Sequence, residues 1–181
     1  GKPVYLLCAS GFTAGDYAKF GLFRGRCYQW GYFPETRFYD IRALLAQKEA
    51  GSIFWAGRFL DWKHPDDALR VAARLRDDGY NFTLRIAGAG VLEPQLRAMV
   101  SELHLDGCVQ LLGSLRPERV RCEMERSRIF LLTSDRREGW GAVLNEAMNS
   151  GCAVVASDGI LDVDNGVIRY SVQHPWRRDL P

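Results

Sequence analysis

Short apolar runs alternate along the chain with segments in which apolar residues recur every three or four positions. The runs predict buried strands at six places: Val4 to Cys8, Ser52 to Ala56, Phe82 to Ala87, Val109 to Leu112, Ile129 to Thr133 and Ala153 to Ala156. Helical stripes between them comprise Ala68, Val71, Ala72 and Leu75, and then Leu92, Leu96, Met99 and Leu103. This alternation predicts an α/β fold with a Rossmann-like, doubly wound, mostly parallel sheet, whose ligands bind beyond the carboxyl ends of the strands.

The chain divides into three parts by the texture of its sequence. Aromatic residues crowd around glycines late in residues 1–34, and this part predicts the closing strand, helix and strand of a preceding unit. Residues 35–50 predict a linker helix, and residues 51–181 predict the main domain, truncated or atypical after residue 157. Because the chain begins without an initiator methionine and directly before a strand, we expect it to be a piece of a longer protein.

The composition is that of one folded, soluble core. Of the 181 residues, 47% are hydrophobic and 25% charged, and 24 basic against 22 acidic residues leave a net charge of +2. Neither sign forms a long block, so no nucleic-acid partner is expected. The five cysteines are scattered without a C-x-x-C spacing, which favours buried apolar roles in a reducing cytoplasm. No apolar run reaches the roughly 20 residues that a membrane span needs.

Two cations follow the second predicted strand. Gly57 and Arg58 come directly after it, and Lys63 stands five residues further on. A planar guanidinium fork and a flexible ammonium together suit a diphosphate. The alternative is that they form surface salt bridges with Asp61 or Asp66.

A glycine pair, Gly88 and Gly90, follows the third predicted strand. It would allow a tight turn and close approach of the backbone to a ligand. A plain strand-to-helix turn explains it equally well, because Glu93 and Pro94 stand where a dinucleotide fingerprint has its third glycine.

The most informative stretch is Glu138-Gly139-Trp140-Gly141, which precedes a helix that carries Glu146. Its glycines would present backbone N–H groups at a helix N-terminus, where the dipole favours an anion. The two carboxylates could accept paired hydrogen bonds from the hydroxyls of a sugar and a ribose. The alternatives are a helix-capping acid at Glu138, a solvated helix surface at Glu146, and a carboxylate pair for acid and base catalysis.

This motif resembles that of the retaining glycosyltransferases with two facing Rossmann-like domains (GT-B type), the group that includes glycogen synthases and sucrose synthase. Their carboxyl-terminal donor domain carries a glutamate, a glycine-aromatic-glycine turn and, after seven intervening residues, a second glutamate, as at Glu138 and Glu146. The Arg58 and Lys63 loop is similar to the family's diphosphate clamp, and residues 86–90 to its glycine turn, in the same order. The resemblance covers roughly residues 52–157.

The resemblance implies roles for particular residues. It implies catalytic roles for Arg58 and Lys63, which would neutralise the departing diphosphate, and for Glu138, which would hold the transferred sugar. The donor-binding residues would be Gly57, Gly88, Gly90, Gly113, Gly139, Trp140, Gly141 and Glu146. The nucleobase would lie against residues 112–115, and neither a metal nor another cofactor is implied, because the nucleotide sugar is itself the donor substrate.

The implied function is retaining transfer of a sugar from a nucleoside diphosphate to an acceptor hydroxyl in bacterial polysaccharide or glycolipid synthesis. A glycan or lipid-linked acceptor would bind through the missing domain, so we expect the fragment alone to be inactive. The complete enzyme is expected in the cytoplasm, with association at the inner face of the membrane left open.

Two features depart from the family pattern. The glycine pair and Pro-Glu-like turn that usually follow residue 157 are absent, which favours truncation or a shifted reading frame. His64, His104 and His174 match none of the family's motif positions and are interpreted as surface groups. A non-catalytic nucleotide-sugar-binding or interaction module therefore remains the alternative function, and a nicotinamide-dependent oxidoreductase rests only on the glycine pair.

Overall fold

The computed structural model describes residues 2–8, 13–30, 34–135, 137–138 and 141–157, and the backbone of Ile168–Tyr170. The helices are α1 Thr13–Lys19, α2 Ile41–Ala46, α3 Pro65–Asp77, α4 Glu93–Glu102, α5 Pro117–Arg126 and α6 Ala142–Asn149. The strands are β1 Leu6–Cys8, β2 Cys27–Gln29, β3 Ser52–Ala56, β4 Thr83–Ala87, β5 Val109–Gly113, β6 Ile129–Leu132, β7 Ala153–Ser157 and β8 Ile168–Tyr170. None of the described helices combines the length and the apolar character needed to cross a membrane.

The main sheet is parallel throughout its described part, with the strand order β5-β4-β3-β6-β7-β8. The chain therefore moves outward from β3 to β5, returns to the other side of β3, and moves outward again through β6 to β8. This arrangement confirms the predicted α/β, Rossmann-like, doubly wound fold. The direction of winding reverses between β3 and β6, and a ligand crevice opens at such a point beyond the strands' carboxyl ends.

Apolar side chains cover both faces of this sheet, as a buried parallel sheet requires. All five residues of β3 are buried, and the side chains of Phe54 and Trp55 are completely inaccessible. On one face, Trp55 packs with buried residues of α3 and α4. On the other, Phe54 packs with Met124 of α5 and Leu144 of α6. The site loops therefore start from strands that are held on both sides.

Helix α5 has no apolar stripe that would have predicted it. Two of its inward positions carry Arg121 and Glu123, which are 4% and 6% exposed. Glu123 forms an ion pair with Arg85 of β4 at 2.9 Å, so the helix packs through buried charges as well as apolar groups.

The segment between the two sheets is bound to helices of the main sheet by a buried lysine. Lys48 follows α2, and its Nζ donates to the backbone carbonyls of Met124 at 3.1 Å, Ser127 at 2.7 Å and Ser150 at 2.9 Å. These carbonyls lie at the ends of α5 and α6, where the helices leave acceptors unpaired. Burial lowers the pKa of Lys48, and the carbonyl acceptors offset part of that cost.

Strands β1 and β2 form a separate two-stranded parallel sheet. Tyr5, Leu7 and Tyr28 in and beside these strands are 52%, 54% and 55% exposed. The order strand, helix, strand agrees with the pattern expected for residues 1–34. The division of the chain into domains stays a prediction.

Candidate functional site

Two loops, one after β3 and one after β6, are joined by hydrogen bonds at the point where the sheet changes its winding direction. The Thr133 hydroxyl accepts from Trp55 Nε1 at 2.9 Å and donates to the Lys63 carbonyl at 2.7 Å. The backbone N–H of Asp135 donates to the Trp62 carbonyl at 2.9 Å. The side chains of residues 58–63 therefore lie beside those of Asp135, Arg137 and Glu138.

Lys63 and Glu138, both predicted as catalytic, form an ion pair between these loops. The Lys63 ammonium contacts Oε2 of Glu138, and the two side chains are only 16% and 13% exposed. The alternative of salt bridges to Asp61 or Asp66 does not hold for Lys63 in the described structure, and Glu138 does not cap a helix. A charge-assisted hydrogen bond this far from solvent is stronger than one on the surface.

A second group of charges lies at the mouth of the same site. Arg137 donates to Asp61 Oδ2 at 2.8 Å and to Asp135 Oδ2 at 2.7 Å. These hydrogen bonds hold the pKa values of both carboxyls below their ordinary range, and the carboxylates in turn raise the pKa of Arg137. The guanidinium of Arg137 also lies 5.7 Å from the centre of the Trp62 ring, and that of Arg58 lies 6.0 Å from it.

An open cleft of about 420 Å³ lies between the loops, and its lining consists of Arg58, Trp62, Lys63, Arg137 and Glu138. In the described part of the chain, Arg58 has no carboxylate partner, whereas Lys63 and Arg137 each have at least one. The exposed guanidinium of Arg58 is thus available to an anion that enters the cleft.

The glycine turn after β4 packs against the loop after β3. A Cβ at Gly88 would stand 1.9 Å from the carbonyl oxygen of Gly57, and one at Gly90 would stand 2.5 Å from that of Phe59. Phe59 also donates its N–H to the Ala89 carbonyl at 2.9 Å. The close backbone approach that the glycines permit is therefore made to the neighbouring loop, beside the cleft.

Gly113 and Gly141 stand at two further loop positions with left-handed backbone, with φ of 69° and 66°. Gly113 ends β5, and its carbonyl accepts from the Gly88 N–H at 2.8 Å. Gly141 precedes the first residue of α6, and Glu146 stands half-buried in the following turn of that helix. Gly139 and Trp140, both predicted donor-binding residues, lie outside the described residues.

The structure corrects the expectation that His64 lies at the surface. His64 was interpreted as a surface group, but it is only 8% exposed, and its Nε2 lies 3.1 Å from Asp135 Oδ2. Its backbone is left-handed, with φ of 45°, directly before α3. His104 is exposed, as expected, and His174 lies outside the described residues.

Sequence reasoning omitted Trp62, Arg137 and Asp135 from the site. No motif marks them, because their roles arise from contact between two loops that lie some seventy residues apart in the chain. The adjacency of Trp62 to Lys63, and of Arg137 to Glu138, is the signal that could have included them. Among the residues whose structure is described, no cluster of His, Cys, Asp or Glu could hold a metal ion.

Comparison with known proteins places this geometry in a family. Residues 38–164 match the family described as Glycosyl transferases group 1. The amylovoran biosynthesis glycosyltransferase AmsK of Erwinia amylovora is 33% identical over 129 residues, which cover 68% of this chain and 32% of that protein. The chain thus spans about a third of the length of this relative.

Solved structures show the same fold at lower identity. Anabaena Alr3699/HepE, crystallised in complex with UDP and glucose, superposes with a TM-score of 0.70 at 16% identity, over 92% of this chain and 49% of that one. The carboxyl-terminal domain of LpcC, a group 1 family protein from Francisella tularensis, superposes with a TM-score of 0.60 at 18% identity, over 78% of this chain and 79% of that one. Because the family match covers most of this chain, residues 38–164, the chain belongs to the group 1 glycosyl transferases.

Proposed function

We propose that this chain is the carboxyl-terminal, donor-binding part of a bacterial retaining glycosyltransferase, and that its cleft binds a nucleoside diphosphate sugar. The observation that carries the proposal is the group of cations between the loops after β3 and β6. There Arg58 is unpaired with any described carboxylate, and Lys63 is paired with an acid that also suits a sugar. Support also comes from HepE, whose structure of the same fold was solved with UDP and glucose.

The diphosphate would lie between Arg58, Lys63 and the N-terminal end of α6. Arg58 offers two parallel N–H donors to phosphate oxygens, and Lys63 offers a flexible positive charge. The N-terminal end of α6, which follows Gly141, contributes unpaired N–H groups and the positive end of a helix dipole. Together they compensate the two negative charges without a metal ion.

The sugar and the ribose would each meet a carboxylate. When the donor binds, the Lys63 ammonium would leave Glu138 and pair with the diphosphate. Glu138 would then accept hydrogen bonds from the sugar hydroxyls. Glu146, half-buried in the first turns of α6, would accept from ribose hydroxyls. The nucleobase would lie against the segment after β5, next to Gly113.

In the transfer itself, the bond between the anomeric carbon and the diphosphate oxygen breaks, and the acceptor oxygen bonds to that carbon on the same face. The acceptor's proton passes to the departing diphosphate. The negative charge on the diphosphate grows as the bond breaks, so the fixed charges of Arg58 and Lys63 would stabilise the transition state more than the ground state.

The acceptor side would be formed by protein beyond the donor domain. Two-stranded parallel sheets are not stable alone, because parallel sheets are normally covered on both faces. The exposed side chains of Tyr5, Leu7 and Tyr28 fit the closing elements of a larger acceptor-side domain. A glycan or lipid-linked acceptor would bind there, and the chain alone would bind the donor without transferring its sugar.

A thermal-shift panel of UDP-, GDP- and ADP-sugars tests this proposal, because a ligand of the folded state raises its melting temperature by mass action. We expect one nucleotide class to raise the melting temperature of the chain, and the longer protein to transfer that sugar. Replacing Arg58 with alanine in the longer protein should lower kcat by about a hundredfold, the scale of losing one preorganised charge. Binding without transfer by the longer protein would favour a non-catalytic module instead.

A further inference from the structure

Asp135 occupies the position where the two cleft loops meet, and it makes contacts with both. Its N–H donates to the Trp62 carbonyl at 2.9 Å, and its carbonyl accepts from the Glu138 N–H at 2.9 Å. Its Oδ1 accepts from the Arg137 N–H at 2.8 Å, and its Oδ2 lies 3.1 Å from His64 Nε2. Backbone and side chain together thus contact three residues that line the cleft, Trp62, Arg137 and Glu138, and also the buried His64.

These contacts surround the Lys63 and Glu138 pair. Trp62 and His64 are the two chain neighbours of Lys63, and Asp135 contacts both, Trp62 through its backbone carbonyl and His64 through its ring. On its own loop, the Asp135 carbonyl accepts from the Glu138 N–H, and its carboxylate accepts from the Arg137 N–H. These two hydrogen bonds hold the backbone that leads to Glu138.

We infer that Asp135 is a positioning residue, which keeps Lys63 and Glu138 facing each other across the cleft. It does not line the cleft, and it would act through the two residues that do. The inference rests on the proposed function only for the identity of the ligand.

The backbone of His64 supports this role. A non-glycine residue with φ of 45° is in an uncommon conformation that surrounding contacts must maintain. The hydrogen bond between the His64 ring and Asp135 helps to maintain this backbone conformation. The hydrogen bonds from Arg137 lower the pKa of Asp135, which keeps its carboxylate ionised for this task.

Amide hydrogen exchange on the chain without ligand gives a first test. In Asp135→Ala the Arg137 amide loses its acceptor, so its exchange should accelerate at least tenfold. Asp135→Asn retains an oxygen at Oδ1 and should restore most of the protection. Asp61→Asn is the matched control, because it removes the other carboxylate partner of Arg137 while an amide oxygen remains to accept from the Trp62 backbone N–H. Unchanged exchange in Asp135→Ala would overturn the inference.

Calorimetric titration with the nucleotide sugar found in the thermal-shift panel gives a second test. Asp135→Ala should weaken its affinity about tenfold, Asp135→Asn should weaken it less, and Asp61→Asn should change it less than twofold. Equal affinity in the unaltered chain and Asp135→Ala would contradict the role of Asp135. If the unaltered chain binds none of the nucleotide sugars, the proposed function fails, while the exchange experiment still decides the positioning role.

Discussion

Most charges in the cleft already have partners within the protein. Lys63 is paired with Glu138, and Arg137 with Asp61 and Asp135. Arg58 alone, among the cations that line the described cleft, lacks a carboxylate. An entering diphosphate can therefore bind the Arg58 guanidinium directly. To bind the Lys63 ammonium, it must first displace the Glu138 carboxylate.

This competition predicts opposite effects for two ligands when Glu138 is changed to glutamine. The free nucleoside diphosphate should bind about fivefold more tightly, or about 1 kcal/mol, because Lys63 no longer has a carboxylate to leave. The extra affinity that the sugar contributes should fall, since an amide accepts fewer hydrogen bonds than a carboxylate. Calorimetric titration with the diphosphate and with its sugar measures both effects.

Glu102→Gln, on an exposed position of α4, is the control for that experiment. It should change neither affinity. Weaker binding of the free diphosphate by Glu138→Gln would show that Glu138 assists the diphosphate rather than competing with it.

At this scale the sequence predicted residues that stand in a recognisable motif, and missed those defined by contact. Arg58, Lys63 and Glu138 were predicted, and the structure brings them to one cleft, although their roles stay predictions. Asp135 and His64 were missed, because nothing local to either residue indicates that the two loops meet.

Glycines allow the loops after β3 and β4 to pack closely against each other. The carbonyl of Gly57 lies where a side chain at Gly88 would begin. The same contact brings the loop after β3, with Arg58, to its position at the end of the sheet. Glycine is therefore required at residue 88 for packing, whether or not a ligand also approaches it.

Replacing Gly88 with alanine should separate these loops. A Cβ 1.9 Å from a carbonyl oxygen cannot be accommodated without moving backbone, so we expect a loss of about 2–3 kcal/mol in the free energy of unfolding. Urea denaturation measures it. Gly107→Ala is the control, since a Cβ there meets no atom within 4 Å, and it should stay within about 0.5 kcal/mol of the unaltered chain. Equal stability of the two variants would contradict this packing role.

Six of the eight described strands, β1 and β3 to β7, were predicted to within two residues of their observed ends. Parallel strands that are buried on both faces appear in the sequence as nearly continuous apolar runs. Helix α5 was not predicted from its own residues. Its buried Arg121 and Glu123 interrupt the apolar period, and their partners come from distant parts of the chain. The sequence motifs were followed only to residue 157, but the family match runs on to residue 164, and the backbone of β8 beyond it pairs with β7.

Across the whole molecule, ion pairs connect the segment between α2 and β3 with the main sheet and its helices. Glu49 accepts from Arg85 of β4 at 2.5 Å and pairs with Arg126 of α5 at 2.7 Å. These bonds, led by that from Arg85, hold the pKa of Glu49 below its ordinary value of 4.5. A carboxyl whose pKa is lower in the folded state stabilises the fold above its unfolded pKa.

The free energy of unfolding should therefore fall as the pH drops below about 4.5, because the unfolded chain takes up the proton first. Glu49→Gln should make that fall shallower, while Glu102→Gln should leave its slope unchanged. Urea denaturation at a series of pH values between about 3 and 7 measures both slopes. Identical slopes in the Glu49 variant and the unaltered chain would contradict the linkage.

The overall architecture followed from strand and helix alternation, but the position of the site required the strand order. That order brings β3 beside β6, although their first pair of partners, Ile53 and Ile129, lie 76 positions apart in the chain. Local patterns do not specify such long-range pairing, so the resemblance to a family was needed to connect the two loops before the structure did.

The central claim is that the cleft binds a nucleoside diphosphate sugar through Arg58. Calorimetric titration of the chain with UDP-, GDP- and ADP-sugars, repeated with Arg58→Ala and with the exposed control Arg97→Ala, measures this binding. We expect that one nucleotide class binds, that Arg58→Ala weakens its binding at least tenfold, and that Arg97→Ala does not. Binding by none of these donors, or equal affinity in Arg58→Ala, would contradict it.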